Sequence, residues 1–315
     1  MIVIGVDIGG SSIKGGTINE KGEVLDEFIV PISRLDKPEI TFANLADQIN
    51  EFIQNHHYDE PISGLGLGVP GLINKDTGVV ASSPNMPSWL NFNIKEFLSK
   101  RIDMPIKIVN DASAAALGEA KFGSGRNHKY LVMYTLGTGV GGGIVFDGKL
   151  IDGNEGEGAQ LGHSVIVING RKCSCGRKGC LEAYASATAL TKQVRFMMRI
   201  HPRSILRECA EEVGRVNATV AFLAAKKGDP IGVRIIEEYV MYLSEGILNC
   251  CNVFRPEIIV LSGGVAKEGE YLISKINQYV QSRECGYKNS PNVKIKLAEL
   301  GYNAGKIGAA SLFFD

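Results

Sequence analysis

The sequence has no excess of charge of either sign, because 34 Lys and Arg residues balance 34 Asp and Glu residues. A nucleic-acid-binding protein usually carries a basic excess, so this class is disfavoured. No apolar run approaches the roughly 20 residues that span a bilayer. No basic segment precedes the first apolar stretch either, so a signal peptide is not expected. These absences favour a cytoplasmic protein, and 315 residues are enough for two domains.

A disulfide framework is also disfavoured, because the chain has an odd number of cysteines, seven, and no export signal. Three of them, Cys173, Cys175 and Cys180, lie within eight residues, and His163 precedes them. Three thiolates and one imidazole form a standard tetrahedral zinc set, and four protein ligands leave no position for a reactive water. We therefore predict a structural Zn²⁺ site, with an inert cluster of thiols as the weaker interpretation. The other cysteines are predicted to be buried thiols: Cys209, Cys250, Cys251 and Cys285.

Apolar segments with strand and helix periodicity alternate in the first half of the chain and predict an α/β fold. From residue 181 onwards the pattern is mainly helical. The predicted strands are 2–6, 14–18, 24–30, 64–69, 106–109, 130–134, 143–146, 258–261 and 293–298, and the predicted helices are 41–56, 94–100, 112–120, 185–199, 203–210, 219–226, 231–253 and 306–314.

Two lobes are expected from this pattern. A small α/β lobe covers 1–117, and a terminal helix at about 303–315 is expected to pack back onto it. A large α/β lobe covers 118–302 and contains the cysteine loop, 163–180, and a helical segment, 181–253.

Two glycine-rich turns share one design, since each follows an apolar strand and contains a hydroxyl residue: 5–16 and 134–143. Glycine lets the main chain approach a ligand closely, and successive N–H groups can bind an anion. Neither turn is a Walker A loop. The Gly137-x-Gly139-x-x-Gly142 pattern matches a dinucleotide motif, but a strand rather than a helix is predicted to follow, which disfavours NAD. Two such turns facing the phosphates of one nucleotide predict an ATP-using enzyme.

Asn110 and Asp111 lie where a predicted strand ends and a helix begins. Asn and Asp are favoured helix N-caps, so both residues have a structural interpretation. The carboxyl ends of strands in open α/β sheets are also where ligands bind, and a carboxylate there can accept a proton from an attacking hydroxyl. Both interpretations remain open at the level of the residues.

Three motifs together resemble the ROK family of bacterial sugar kinases and sugar-responsive repressors. They are Asp7-x-Gly-Gly, the segment Thr-Leu-Gly-Thr-Gly-x-Gly-Gly-Gly that begins at Thr135, and Gly162-His163 followed by Cys-x-Cys-Gly-x-x-Gly-Cys-x-Glu182. The similarity covers nearly the whole chain and is greatest to the zinc-containing glucokinase branch. The resemblance implies a two-lobed, actin-like hexokinase fold of the ribonuclease H type, with ATP in the cleft and a zinc-clipped loop.

The resemblance also implies roles for particular residues in an ATP-dependent hexose kinase that phosphorylates O6. Asp111 matches the general base, and His163 uses one ring nitrogen for zinc and the other for the sugar. Mg²⁺ accompanies ATP and neutralises developing charge. The implied sugar contacts are Gly71, Asn85, Asn110, Asp111, Gln160, His163 and Glu182, and the implied nucleotide contacts are Asp7, Gly9, Gly10, Ser11, Ser12, Lys14, Gly137, Thr138, Gly139, Gly263 and Gly264.

One residue departs from the family pattern, since Gln160 stands where the kinases usually carry Glu. A glutamate only accepts hydrogen bonds, whereas glutamine both donates and accepts. We therefore predict an altered preference at the C1 and C2 groups of the sugar. In the alternative interpretation Gln160 keeps the same contact with less strength.

Other functions are weighed against these expectations. An N-acylhexosamine kinase, acting for example on N-acetylmannosamine, is the nearest alternative. A sugar-binding transcriptional regulator needs a DNA-binding helix-turn-helix, for which the four residues before the first turn leave no room. An actin-like assembly ATPase would leave the cysteine loop and Glu182 without a purpose. The identity of the hexose, the use of a donor such as polyphosphate, and a homodimeric or higher assembly built on the C-terminal helices stay open.

Overall fold

The computed structural model describes residues 1–84, 86–283 and 292–314. Its strands are β1 (Ile2–Ile8), β2 (Ser12–Asn19), β3 (Val24–Pro31), β4 (Ile62–Val69), β5 (Leu72–Ile73), β6 (Val80–Ser82), β7 (Ile106–Asn110), β8 (Tyr130–Leu136), β9 (Val140–Phe146), β10 (Lys149–Leu150), β11 (Ile258–Ser262) and β12 (Lys294–Leu297). Its α-helices are α1 (Pro38–Asn55), α2 (Ile94–Ser99), α3 (Asp111–Phe122), α4 (Glu182–Ala185), α5 (Ala187–Ile200), α6 (Leu206–Val213), α7 (Ala218–Lys226), α8 (Pro230–Phe254), α9 (Glu270–Gln281) and α10 (Ala304–Ala310).

The chain divides into two compact units. The first consists of Met1–Leu131, Gly143–Ala159 and Ala298–Asp315, and the second of Val132–Gly142 and Gln160–Leu297. Whether the functional lobes follow the boundary expected at residue 117 stays a prediction.

A five-stranded sheet in the order β3-β2-β1-β4-β7 organises the first unit. β1, β2 and β3 form an antiparallel meander, whereas β1, β4 and β7 run parallel. The parallel strands therefore bring their carboxyl ends to one edge, where ligands bind in sheets of this kind. Asp7 on β1 is level with Gly68 on β4, which in turn is level with Val109 on β7.

Helix α1 covers one part of this sheet with an apolar stripe. Phe42, Leu45, Ile49 and Phe52 recur at helical spacing and are buried in a core that also holds β1 and β4 side chains. At the other end of the chain, α10 packs against α3 and β1 within the same unit.

A second five-stranded sheet has the order β10-β9-β8-β11-β12. Helices α4 to α9 belong to the second unit and include the 25-residue α8. The helix predicted at 185–199 begins two residues later, as α5, because Ser186 has extended backbone and its side chain caps α5 by accepting a hydrogen bond from the Ala189 N–H (3.0 Å). Helix α9 is absent from the sequence prediction, and Cys285 lies outside the described residues. Within the described ranges, no helix combines the length and hydrophobicity that crossing a bilayer requires.

Candidate functional site

The first glycine-rich turn joins β1 to β2 in the first unit. The Gly9 N–H donates to the Ser12 carbonyl (3.0 Å) and closes the turn. The N–H groups of Gly10 and Ser11, by contrast, donate to no backbone oxygen among the described residues. Two neighbouring free N–H groups on a glycine turn can bind a phosphate. The predicted contacts Ser12 and Lys14 follow directly on β2, where Lys14 is paired with Asp7.

Two carboxylates lie at the carboxyl edge of the first sheet. Asp7 occupies the penultimate position of β1, and Asp111 begins α3 directly after β7. Burial raises the pKa of Asp7, although Lys14 and Lys306 oppose this effect. Burial also raises the pKa of Asp111 to about 7, and the negative charge of Asp7 adds to the shift. A carboxylate with a pKa near the working pH suits a general base.

Asn110 is the residue that caps helix α3, a role that the sequence allowed for either Asn110 or Asp111. Its Oδ1 accepts hydrogen bonds from the N–H groups of Ala112 (2.9 Å) and Ser113 (3.2 Å), so Asn110 is the N-cap of α3. Its Nδ2 donates to the carbonyl of Gly71 (2.9 Å), which brings these two predicted sugar contacts together. The predicted contact Asn85 lies outside the described residues.

The second glycine-rich turn joins β8 to β9 and belongs to the second unit. The Gly137 N–H donates to the Gly139 carbonyl (3.0 Å). Two groups of the α4–α5 region hold the turn from behind: the Ala187 N–H donates to the Gly137 carbonyl (2.9 Å), and the Thr188 hydroxyl donates to the Thr138 carbonyl (2.7 Å).

A third glycine pair lies against this turn. Gly263 has a φ of +91°, and a Cβ there would come within 2.6 Å of the Leu136 carbonyl oxygen, so only glycine fits. Gly264 and Gly137 face open space, since no heavy atom lies within 4 Å of the Cβ position of either residue. The structure therefore brings the predicted nucleotide contacts Gly137, Thr138, Gly139, Gly263 and Gly264 together in one unit.

A cavity of about 490 Å³ opens beside these glycines and is formed by the second unit. Its apolar wall contains Ala187, Ala218, Phe222 and Val265. Its size falls within the range of small-molecule sites. Sequence patterns missed most of the polar lining residues, because these are separated along the chain and share no motif: Thr188, Thr191, Lys192, Arg195, Arg215, Asn217 and Thr219.

The four predicted metal ligands converge in the second unit, where their ligand atoms all lie within 4.8 Å of one another. The Sγ atoms of Cys175 and Cys180 are 3.7 Å apart, and the Cys173 Sγ is 3.5 Å from the His163 Nδ1. Tetrahedral zinc would place two sulfurs about 3.7 Å apart and a sulfur and a nitrogen about 3.5 Å apart. The donor set and its spacing therefore fit Zn²⁺.

Local backbone contacts hold the metal ligands in place. The Cys173 N–H donates to the Arg177 carbonyl (2.9 Å) and the Gly176 N–H to the Cys173 carbonyl (3.2 Å), which closes a tight turn around the thiols. His163 lies in a short 3₁₀ turn, Leu161–His163, whose first hydrogen bond runs from the His163 N–H to the Gln160 carbonyl (2.9 Å). Gln160 therefore begins the turn that carries His163.

Glu182 links the metal loop to the second glycine turn. Its Oε1 accepts a hydrogen bond from the Ser174 hydroxyl (2.8 Å), and its Oε2 accepts one from the Val140 N–H (3.1 Å). A Cβ on Gly139 would overlap Oε2, so the carboxylate lies directly against the turn. The Cys173 Sγ also lies 3.7 Å from Oε1. A carboxylate has about four lone-pair positions, so these three contacts leave room for a further donor. No sequence motif predicted this role of Ser174.

The comparisons with known proteins cover the full length of the chain. The family model described as the ROK family matches residues 3–315. A glucokinase of Halalkalibacterium halodurans is 35% identical over 311 residues, which is 98% of this chain and 94% of the relative. The crystal structure of a ROK family glucokinase from Streptomyces griseus in complex with glucose and AMPPNP has a TM-score of 0.81 and 31% identity, and covers 99% of both chains. This likeness confirms the predicted actin-like α/β fold class.

A relative of a second kind is similar over nearly the whole chain. The xylose repressor of Bacillus subtilis is 30% identical over 316 residues, which is 99% of this chain and 77% of the repressor. Similarity in sequence both to glucokinases and to a repressor does not by itself decide the activity. The side chains at the candidate site must therefore carry the functional argument.

Proposed function

Because this chain belongs to the ROK family, we propose that it is an ATP-dependent hexose kinase that transfers the terminal phosphoryl group of Mg-ATP to a sugar hydroxyl, O6 being the acceptor. The Streptomyces griseus glucokinase with glucose and AMPPNP supports both substrates. The reaction forms a bond between the sugar oxygen and the γ-phosphorus. The bond to the β-phosphate oxygen breaks, and ADP leaves with its electron pair.

The position and pKa of Asp111 carry this proposal. The carboxylate lies at the carboxyl edge of the parallel strands, and its pKa is raised to about 7 by burial and by Asp7. Asp111 accepts the proton of the sugar hydroxyl as that oxygen attacks phosphorus. Asn110 fixes the start of α3 through its capping bonds and thereby holds Asp111 in place.

The glycine turns are assigned to the donor. In the first unit we assign the N–H groups of Gly10 and Ser11 to a phosphate. In the second unit we assign the 490 Å³ cavity beside the glycines to the nucleoside. Mg²⁺, when bound with ATP, neutralises charge on the phosphates. Asp7 is the residue we assign to it, since a buried carboxylate with a raised pKa is stabilised by a cation.

The metal loop positions the sugar-binding residues of the second unit. The His163 Nδ1 faces the thiols, so Nε2 is left to contact the sugar, as the resemblance implies. Zn²⁺ supplies no chemistry to the transfer, because four protein ligands complete its tetrahedral set. Glu182 contributes a carboxylate oriented by Ser174 and Val140.

Replacing Ser174 by alanine is expected to raise the KM for the sugar roughly 10-fold, because a hydrogen bond to a charged acceptor is worth about 1.5–3 kcal/mol. Zinc content and Tm should stay unchanged, since Ser174 is not a metal ligand. Steady-state kinetics with Ser282→Ala, at the end of α9, as the matched control would check this. An unchanged KM for the sugar would show that sugar binding by Glu182 does not depend on the hydrogen bond from Ser174.

Replacing Gln160 by glutamate is expected to change the ranking of sugars that differ at C2. A mismatched donor or acceptor costs roughly 1–3 kcal/mol, or about 10- to 100-fold in kcat/KM. The ratio of kcat/KM for glucose to that for mannose, glucosamine and N-acetylmannosamine is the measurement. The same ranking in both proteins would favour the alternative, in which Gln160 keeps the glutamate contact with less strength.

The test of the function is ADP release with Mg-ATP across a panel of sugars. The panel contains glucose, mannose, glucosamine, N-acetylglucosamine, N-acetylmannosamine, allose and fructose, and polyphosphate replaces ATP in a parallel set. Turnover that depends on a sugar would establish the kinase and identify the hexose. Tight sugar binding without turnover would contradict the kinase and favour a sensor of the repressor type.

We also propose a reducing, cytoplasmic setting, because the metal ligands must be thiolates and the donor is ATP. No cysteine among the described residues forms a disulfide. The homodimeric or higher assembly stays a prediction.

A further inference from the structure

Arg34 lies in the loop between β3 and α1, beside the first glycine turn. The Ile32 N–H donates to the Ser11 carbonyl (3.1 Å), so the end of β3 runs alongside the turn. A compact set of bonds then shapes the loop: the Asp36 carboxylate accepts from the Ser33 N–H (2.8 Å), and the Ser33 carbonyl accepts from the Asp36 N–H (3.1 Å).

The guanidinium of Arg34 rests directly on Gly10. Its Nε donates to the Gly10 carbonyl (3.3 Å). A Cβ built on Gly10 would be 2.5 Å from one terminal nitrogen of Arg34 and 2.7 Å from Nε. The guanidinium therefore occupies the space beside Gly10 into which a side chain would project.

Most of the donors of Arg34 remain available. An arginine has five N–H donors, and the recorded bond uses only the one on Nε. Arg34 takes part in no ion pair within residues 1–84, 86–283 and 292–314. The neighbouring carboxylate of Asp36 is engaged by the Ser33 N–H. The side chain is exposed, so both terminal nitrogens can reach a ligand.

The same turn also presents the free N–H groups of Gly10 and Ser11. An anion bound there would lie beside the guanidinium, and arginine pairs with phosphate through two parallel hydrogen bonds. In phosphoryl transfer, negative charge develops on the oxygens of the transferred group, and a fixed cation stabilises it.

We propose that Arg34 binds the terminal phosphoryl group of the donor and stabilises its charge during transfer. This inference rests on the proposed kinase function and adds a catalytic residue to it. The contact is specific for the γ-phosphate, so Arg34 should distinguish a nucleoside triphosphate from a diphosphate.

The test compares Arg34→Ala and Arg34→Lys with wild type, and uses Arg101→Ala as the control. Arg101 is an exposed arginine of the same unit that stacks on Phe97 and lies outside the candidate site. The measurements are kcat and KM for ATP and for the sugar, and calorimetric Kd values for Mg-AMPPNP and Mg-ADP. We expect Arg34→Ala to lower kcat/KM for ATP by about 100-fold and to raise the Kd for Mg-AMPPNP. The Kd for Mg-ADP and the KM for the sugar should stay unchanged. Arg34→Lys should recover part of the loss.

Two results would overturn the inference. Kinetics of Arg34→Ala within twofold of wild type would show that the side chain is not used. An equal increase in the Kd values for Mg-AMPPNP and Mg-ADP would show that Arg34 only supports the turn. A wild-type protein that turns over no sugar would refute the kinase instead, and the AMPPNP-to-ADP ratio would still decide the role of Arg34.

Discussion

Replacing Asp111 by asparagine is expected to lower kcat by about three orders of magnitude, because general base catalysis contributes about 10²- to 10⁴-fold. The same change should leave the affinity for nucleotide within a few-fold. Asparagine keeps the size of the side chain and the acceptor that meets the Ala112 N–H (2.9 Å), so the start of α3 should be preserved. Steady-state kinetics with the preferred sugar would measure the loss.

Asp111→Asn should also make the folded chain more stable at neutral and alkaline pH. The pKa of Asp111 rises from 3.8 in the unfolded chain to about 7 in the folded chain. Between these values the folded state binds a proton that the unfolded state lacks, so the stability of the wild type falls as pH rises. Removing the ionisable group should therefore stabilise the protein by up to about 4 kcal/mol at pH 8, and by little near pH 4.

Thermal unfolding of both proteins between pH 4 and pH 8 would test this effect, with Asp103→Asn as the control for an exposed carboxylate of the same unit. The wild-type kcat/KM should fall about 10-fold per pH unit below pH 7, since only the ionised carboxylate accepts a proton. A stability difference that does not grow with pH, or a rate that is flat between pH 5 and pH 8, would contradict the role of Asp111.

Replacing Cys180 by serine is expected to remove zinc and to lower Tm by about 5–10 °C, because a structural metal contributes its binding free energy to folding. Cys180 is fully buried, and its Sγ lies 3.7 Å from that of Cys175. Loss of the metal should loosen the loop that carries His163 and Ser174. The sugar KM should therefore rise more than the Kd for nucleotide.

Cys209→Ser is the matched control, since Cys209 is equally buried but belongs to α6 and to no metal cluster of the described residues. Elemental analysis should give about one zinc per chain for the control and none for Cys180→Ser. Full zinc content in Cys180→Ser, or an unchanged Tm after its loss, would contradict the structural role of the metal.

The parts of the site that lie close together in sequence could be predicted from it. The two glycine turns and the Cys-x-Cys spacing are local patterns, and the side chains they bring together depend on few other residues. The Asn110-Asp111 pair was ambiguous in sequence, because both residues cap helices well. The Ser113 N–H donates to the Asn110 Oδ1, which identifies Asn110 as the N-cap of α3, whereas the catalytic role of Asp111 stays a prediction.

Long-range contacts could not be predicted. The bridge from Ser174 through Glu182 to Val140 joins a loop, a helix and a strand. Arg34 reaches Gly10 only because β3 returns beside β2. Helix α9 was missed although its buried residues Leu272, Ile273, Ile276 and Val280 have helical spacing, and the start of α5 after Ser186 could have been inferred from the capping preference of serine.

The most direct test of the account is a comparison of ADP formation from Mg-ATP with and without the preferred sugar of the panel, with NMR identification of the sugar product. The account predicts that ADP forms only with the sugar, in equal amount to a hexose 6-phosphate, and that Asp111→Asn lowers the rate of both by about three orders of magnitude. ADP formation at the same rate without any sugar of the panel, or a product phosphorylated at another position, would contradict it.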